Sequence, residues 1–249
     1  MNTLKLLAVG AVLAVGVACV AKADTLGDVQ KRGALNCGVN GPTGLTGFGI
    51  PDDQGHWRGL DVDVCRAVAS AIFGDDTKVK YVPLGSKERF TALQSGEIDL
   101  LVRNSTWTFS RNNDLGLEFV AVNYYDGQGF MVRKELGIDS ALKLSGATVC
   151  VQTGTTTEKN LADYFQANKM ELKSVVFENA DQARGAYDEG RCDAYTTDAS
   201  GLASERTQLK NPSDTSSCRR SSRRSRWVLS CASATTNGAA SCAGPISPC

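Results

Sequence analysis

Between Asp24 and about Thr197, short apolar runs alternate with segments whose apolar positions recur every three or four residues. The run LNCGV (35–39) predicts a strand. DVDVCRAVASAIFG (61–74) predicts a helix, with Val64, Val68 and Ile72 in one stripe and Gly74 as its stop. KVKYVPL (78–84) predicts the next strand, KERFTALQSG (87–96) a short helix with Phe90 and Leu93 on one side and Gly96 at its end, and EIDLLV (97–102) a third strand. That is a βαβαβ unit, and the alternation argues for α/β layers with largely parallel strands.

The unit occurs twice in outline. GALNC (33–37) is matched by GATVC (146–150), and LQSGEIDLLVRNS (93–105) by YDEGRCDAYTTDAS (187–200). In each copy a helix stops on glycine, an aspartate follows three residues later, and the next strand runs into polar residues. Two lobes of similar plan are expected, 24–122 and 123–214.

Both ends of the chain differ from this body. Residues 1–23 hold Lys5, an apolar run from Leu6 to Val20 and the triplet AKA, the pattern of a secretory signal cleaved after Ala23. Cys19 is not expected to carry lipid, because Gly16 stands where a large aliphatic residue would be needed. No later apolar run approaches the roughly 18 residues that span a bilayer. The formal net charge of zero conceals an uneven distribution: residues 215–249 carry five arginines and no acidic residue, whereas 24–214 carry 20 basic and 27 acidic residues. An acidic, exported body argues against nucleic acid as a partner.

Four cysteines lie in the body, and an exported chain with an even number favours disulfides. Three connectivities are open. One bridge per lobe, Cys37 to Cys65 and Cys150 to Cys192, is preferred, because a bridge between lobes would lock any hinge; buried free thiols are the alternative. His56 is the only histidine and no CxxC pair occurs, so zinc sites and histidine-based triads have almost no raw material. His56 itself falls in PDDQGHWRG, a turn between extended segments. There is no P-loop and no GxGxxG opening a helix, and DGQGFMV leads into a strand, the wrong context for phosphate. No metal or cofactor is expected.

What remains is a set of polar groups at the carboxyl ends of predicted strands, where open α/β sheets bind ligands. Asn104, Ser105 and Thr106 follow EIDLLV, and Arg111 comes one short loop later. A guanidinium fork matches a carboxylate in bidentate fashion; the alternative is a surface arginine paired with Asp114 or Glu118. In VCVQTGTTTEKNLADYF, Gly154, Thr155 and Thr156 stand where a strand turns into a helix, whose capped N-terminus suits an anion. Asp198 follows the strand DAYTT and would suit an ammonium. Together these groups describe the two ends of an α-amino acid.

At these residues the chain resembles the periplasmic solute-binding proteins of polar amino acid ABC transporters, the bacterial extracellular solute-binding protein family 3. LNCGV, GLDVDVCRAVA, RFTALQSGEIDLLVRNSTWTFSR, VNYYDGQGFMV and VCVQTGTTTEKNLADYF are similar to the branch that serves broad-range L-amino acid uptake, over about residues 25–214. The resemblance implies a two-lobed type II periplasmic binding protein fold. It also implies a hinge that closes on one L-amino acid, permease subunits in the inner membrane as readers of closure, a periplasmic location and a monomer. Carried over, Arg111 would clamp the α-carboxylate, with Thr106, Thr155 and Thr156 completing the shell, and Asp198 would take the α-ammonium. Asn104 stands where relatives often place a serine near the ligand, and Phe48 would supply an aromatic wall. Arg89, in an RxxxLQxG setting, would reach a ligand's side-chain carboxylate and favour acidic or amide side chains within a broad range. An exported enzyme of the same fold, dehydratase-like, with Asp198 and a neighbouring glutamate as acid, is the rival reading, and an amino acid sensor domain the second.

After LKNPSD the resemblance ceases. Residues 215–249 show no hydrophobic periodicity of either kind, and the C-terminal part of the fold is expected to be missing, with the tail an out-of-frame stretch. An RNA-binding arm or a further disulfide cluster fits an exported acidic binder less well.

Overall fold

The computed structural model describes residues 24–41 and 44–218, together with the backbone of 224–232. The expected signal segment, 1–23, lies outside the described residues. Helices alternate with strands in the order α1 (Thr25–Arg32), β1 (Leu35–Asn40), β2 (Ile50–Pro51), β3 (Trp57–Arg58), α2 (Leu60–Phe73), β4 (Val79–Leu84), α3 (Arg89–Gln94), β5 (Leu100–Leu101), α4 (Phe109–Asp114) and β6 (Leu117–Arg133). They continue with β7 (Thr148–Gln152), α5 (Thr156–Ala167), β8 (Lys173–Phe177), α6 (Ala180–Asp188), β9 (Ala194–Asp198), α7 (Ala199–Arg206), β10 (Thr215–Cys218) and β11 (Arg224–Ala232).

The two copies read from the sequence fold alike. β1 is flanked in parallel by β4 and β5, and β7 is flanked in parallel by β8 and β9. The aspartate three residues after each helix-ending glycine explains the repeated spelling. Asp99 accepts the Asn36 amide at 2.7 Å and donates its own amide to the Asn36 carbonyl; Asp193 does the same for Thr148, at 2.8 Å. Each therefore pins the start of its third strand to the start of its first. Gly96 and Gly190, at φ 76° and 81°, supply the left-handed turn that releases the helix beforehand.

A single long strand joins the copies. β6 pairs antiparallel with β11 over Leu117–Gly127 and with β9 from Gln128 onward, while β10 lies on Phe130–Arg133. The ladder with β11 slips at two places, leaving Val120 and Asn123 without opposite numbers, the signature of bulges that bend a strand and re-aim its side chains. Of the apolar clusters, two show the plan of the halves. One packs α2 on β1 and β5 around Cys37, Val39, Cys65 and Leu100, and the other packs α5 on β6 and β7 around Val132, Val149, Leu161 and Phe165. A disulfide crosses each half, Cys37–Cys65 and Cys150–Cys192, with Cα atoms 6.2 and 5.7 Å apart.

The tail differs from its sequence reading. Residues 215–218 and 224–232 form strands although they show no period-two alternation. The reason lies in the edges they cover. β5 and β6 present unpaired backbone groups, and an extended segment carrying Trp227 and Val228 satisfies them irrespective of its pattern. Among the described residues no helix is long and apolar enough to cross a membrane.

Candidate functional site

The carboxyl ends of β4, β5, β7 and β9 converge on one narrow polar cleft. Ser86 after β4, Arg89 at the start of α3, Asn104 and Thr106 after β5, Gln152 and Thr155–Thr157 at the β7–α5 turn, and Thr197 and Asp198 at the end of β9 line it. The lining comes from both copies of the βαβαβ unit, and several contacts cross it. Asn104 Nδ2 donates to Asp198 Oδ2 at 3.2 Å, the hydroxyls of Thr106 and Thr156 lie 3.0 Å apart, and Lys87 Nζ stands 2.7 Å from Glu178 Oε2.

The turn into α5 is built by its own side chains. Thr155 is the N-cap, accepting the Glu158 amide at 3.1 Å, while Glu158 reaches back to the Gly154 amide at 2.9 Å, a reciprocal cap. The first-turn amides of Thr156 and Thr157 stay outside these bonds, as helix geometry requires. Gly154 has φ 72°, and a Cβ there would lie 3.6 Å from the Ser86 carbonyl and 3.4 Å from Lys87 Cγ. It belongs to the rim, where the two halves come into contact, and is not among the residues lining the cleft. Gln128 of β6 donates to the Thr157 carbonyl at 3.1 Å and to Thr196 Oγ1 at 3.0 Å, fixing this turn against β9.

Three arginines gather on the opposite side. Arg89 is buried, donates to the Asn104 carbonyl at 3.3 Å, and has a buried Nε with no hydrogen-bond partner among the described residues. Arg103 is also buried. Its Nε and Nη2 donate to Asn104 Oδ1 at 3.3 and 3.0 Å, and its Nη1 donates to the Leu84 carbonyl. This bonding turns the amide nitrogen of Asn104 toward Asp198 and the cleft.

Arg111 does not follow a loop, as the sequence suggested, but sits in α4. The polar run TWTFSRNND hides that helix, which is six residues long and N-capped by Thr108. Its guanidinium lies 4.8 Å from the centroid of the Phe90 ring and donates to the Thr106 carbonyl at 3.0 Å. It thus stands directly behind Thr106. Phe48 is placed elsewhere again, edge-on to Tyr124 of β6 at 5.1 Å between ring centroids.

Burial shapes the electrostatics. Desolvation drives Arg89 well below its ordinary value, with repulsion from Arg103 and Arg111 adding to it. Desolvation likewise lowers Arg103 and Arg111 to about 10 each. The forks stay protonated at neutral pH, so positive charge is concentrated here, with Asp198 the acidic group facing all three. Such a pocket accepts an anion on the arginine side and a cation beside Asp198. Among the described residues no three His, Cys, Asp or Glu side chains converge as metal ligands would.

Sequence reasoning missed Ser86, Gln152, Thr157, Thr197 and Arg103. Ser86 and Thr197 obey the same strand-end rule that selected Asn104 and Asp198, so the signal was available. Arg103 was not legible, because a charged residue directly after a strand gives no sign that it turns inward.

The chain matches the model of the bacterial extracellular solute-binding proteins, family 3, over residues 37–215. It is 63% identical over 214 residues to the general L-amino acid-binding periplasmic protein AapJ of Rhizobium johnstonii, covering 86% of this chain and 62% of the relative. It is 60% identical over 202 residues to the glutamate/glutamine/aspartate/asparagine-binding protein BztA of Rhodobacter capsulatus, covering 81% and 59%. A Brucella ovis periplasmic binding protein of an ABC transporter, solved with glutathione bound, superposes with a TM-score of 0.81 at 60% identity, over 84% of this chain and 65% of that one. The chain thus spans about three fifths of the length of the curated relatives it matches. With the strand order repeated in two halves and the cleft between them, it has the two-lobed type II α/β fold and belongs to the bacterial extracellular solute-binding proteins, family 3.

Proposed function

We propose that this chain is the substrate-binding component of an ABC transporter, capturing L-amino acids in the periplasm for delivery to permease subunits in the inner membrane. The observation that carries this reading is the polarity of the cleft, with three guanidinium groups gathered on one side and the α5 N-terminus and Asp198 on the other. Charge-assisted hydrogen bonds contribute roughly 1.5–3 kcal/mol each. Three or four of them, less the cost of ordering ligand and hinge, reach the roughly 8 kcal/mol of micromolar binding. The relatives' names support amino acids as the ligand class.

In this reading Arg111 and Thr106 take the α-carboxylate with Thr155 and Thr156, Asp198 and Asn104 hold the α-ammonium end, and Gly154 lets the rim close. Phe48 acts from behind the cleft through Tyr124. Arg89, buried with a free Nε, selects a side-chain carboxylate or amide. The lobes are 24–122 and 123–214, with the hinge in β6. The protein works as a monomer without cofactor, after removal of residues 1–23.

Calorimetric titration with the L-amino acids tests the proposal, followed by recovery of the bound compound. Micromolar binding of glutamate, glutamine, aspartate or asparagine, with the ligand recovered unchanged, is expected. Absence of heat with every amino acid would sink the binder reading, and recovery of a converted product would turn it into the enzyme one.

A further inference from the structure

Asp61 is a carboxylate that the cleft does not touch directly, yet it is tied to it. It sits in the first turn of α2, fully buried, and its amide donates to the Phe48 carbonyl at 2.8 Å. Its Oδ1 accepts Asn123 Nδ2 at 2.9 Å, while its Oδ2 and the Asn123 Oδ1 are both buried without a hydrogen-bond partner among the described residues. An ionised carboxylate cannot use that second pairing, because both oxygens only accept. A protonated one can, since its O–H donates to the amide oxygen and closes a two-bond acid–amide ring.

The charged group acting on Asp61 is Arg103, just beyond β5, and the polar one is Asn123, the bulged residue of β6. Arg103 is in turn acted on by Asp61, Glu88, Asp198 and Arg111, and it holds Asn104 in the cleft. A chain of side chains therefore runs from β6 through Asp61, Arg103 and Asn104 to Asp198. Burial pushes the Asp61 carboxyl up to about 7, against the lowering pull of Arg103 and the Asn123 hydrogen bond.

Resting on the amino acid-binding reading above, we infer that Asp61 is an internal counter-ion of the cleft, competing with a ligand's side-chain carboxylate for the same guanidinium cluster. Capture of an anionic amino acid is thereby coupled to uptake of a proton on Asp61. The sign follows from charge. A second carboxylate arriving beside Arg89 and Arg103 shares their positive field, the pull of Arg103 on Asp61 weakens, and the protonated acid–amide ring takes over. By reciprocity, glutamate binds more tightly when Asp61 is already neutral. A zwitterionic ligand such as leucine adds no net charge and leaves Asp61 unmoved.

Two measurements test this on the full chain. Glutamate and leucine affinities are followed by calorimetry from pH 6 to 8, in buffers of different ionisation enthalpy. Glutamate binding is expected to weaken about two- to fivefold across that range with net proton uptake, as a coupling of half to one pKa unit gives between pH 6 and 8, and leucine binding to stay flat. Asp61→Asn, which keeps the bond to Asn123, should flatten the glutamate profile. A profile that persists in that variant, or parallel profiles for both ligands, would overturn the inference. Carbon NMR of aspartate carboxyls, without ligand, separates this from the parent reading. One buried carboxyl should titrate near neutrality, and that signal should be missing from the spectrum of Asp61→Asn. If every aspartate carboxyl titrates below pH 5.5, Asp61 has no such role, whether or not the protein binds amino acids.

Discussion

Arg111 shows how a residue's chemistry can suggest a partner while its setting stays hidden in the sequence. A fixed positive fork near strand-end hydroxyls suggested a carboxylate partner, but the helix that carries it and its place behind Thr106 come from the Thr108 cap and the stacking on Phe90. If it clamps the α-carboxylate, Arg111→Ala removes two charge-assisted bonds, roughly 3–6 kcal/mol, and should weaken every amino acid by about a hundredfold or more on calorimetry. Survival of binding within a few-fold would remove Arg111 from the site. Arg89 makes the sharper prediction. Its replacement by alanine should cost glutamate at least tenfold more than leucine, because only the former has a second carboxylate; equal losses would assign Arg89 to packing against Phe90.

The elements were legible wherever a stop signal and a periodic stripe coincided. α2 runs from Leu60 to Phe73 with Gly74 at φ 69°, within a residue of its sequence bounds, because stripe, acidic first turn and glycine stop agree. The repeated Gly-x-x-Asp spelling was visible too, and its cause is the paired hydrogen bond from Asp99 and Asp193 to the first strand of each copy. α4 and the tail strands were not legible. The first is too short for a stripe, and the others owe their extension to the edges they complete. The turn into α5 offers a test at this scale: Thr155→Ala leaves the Glu158 amide without its cap and should cost about 1 kcal/mol, read as a fall of a few degrees in thermal unfolding. A change within error would mean that the Glu158–Gly154 bond alone secures the turn.

For the whole molecule, Asp61 ties stability to pH as well as to ligand. Its carboxyl is raised to about 7 from 3.8, so the native state keeps a proton that the unfolded chain has already lost. Its contribution is fully present below the unfolded value and declines as pH rises toward about 7, by something on the order of 4 kcal/mol. Chemical denaturation from pH 4 to 7.5 should show that decline in the parent and a flatter profile in Asp61→Asn; identical profiles would place the proton elsewhere. The plan around it, two βαβαβ copies with a strand between them, was readable from the repeat, whereas the sharing of one continuous strand was not, because β6 spans the expected lobe boundary with no break in its sequence pattern. That sharing has a mechanical consequence. Among the described residues, no strand pairs with β6 on both sides of the point where it exchanges partners, between Gly127 and Gln128. If the lobes hinge there as proposed, the ladders on either side would move as leaves on a single pin, through the torsions of one short stretch of chain and without rupture of a ladder bond in either leaf. The tempo of such an opening would then be set by drag and by the contacts across the rim, and not by the strength of the sheet.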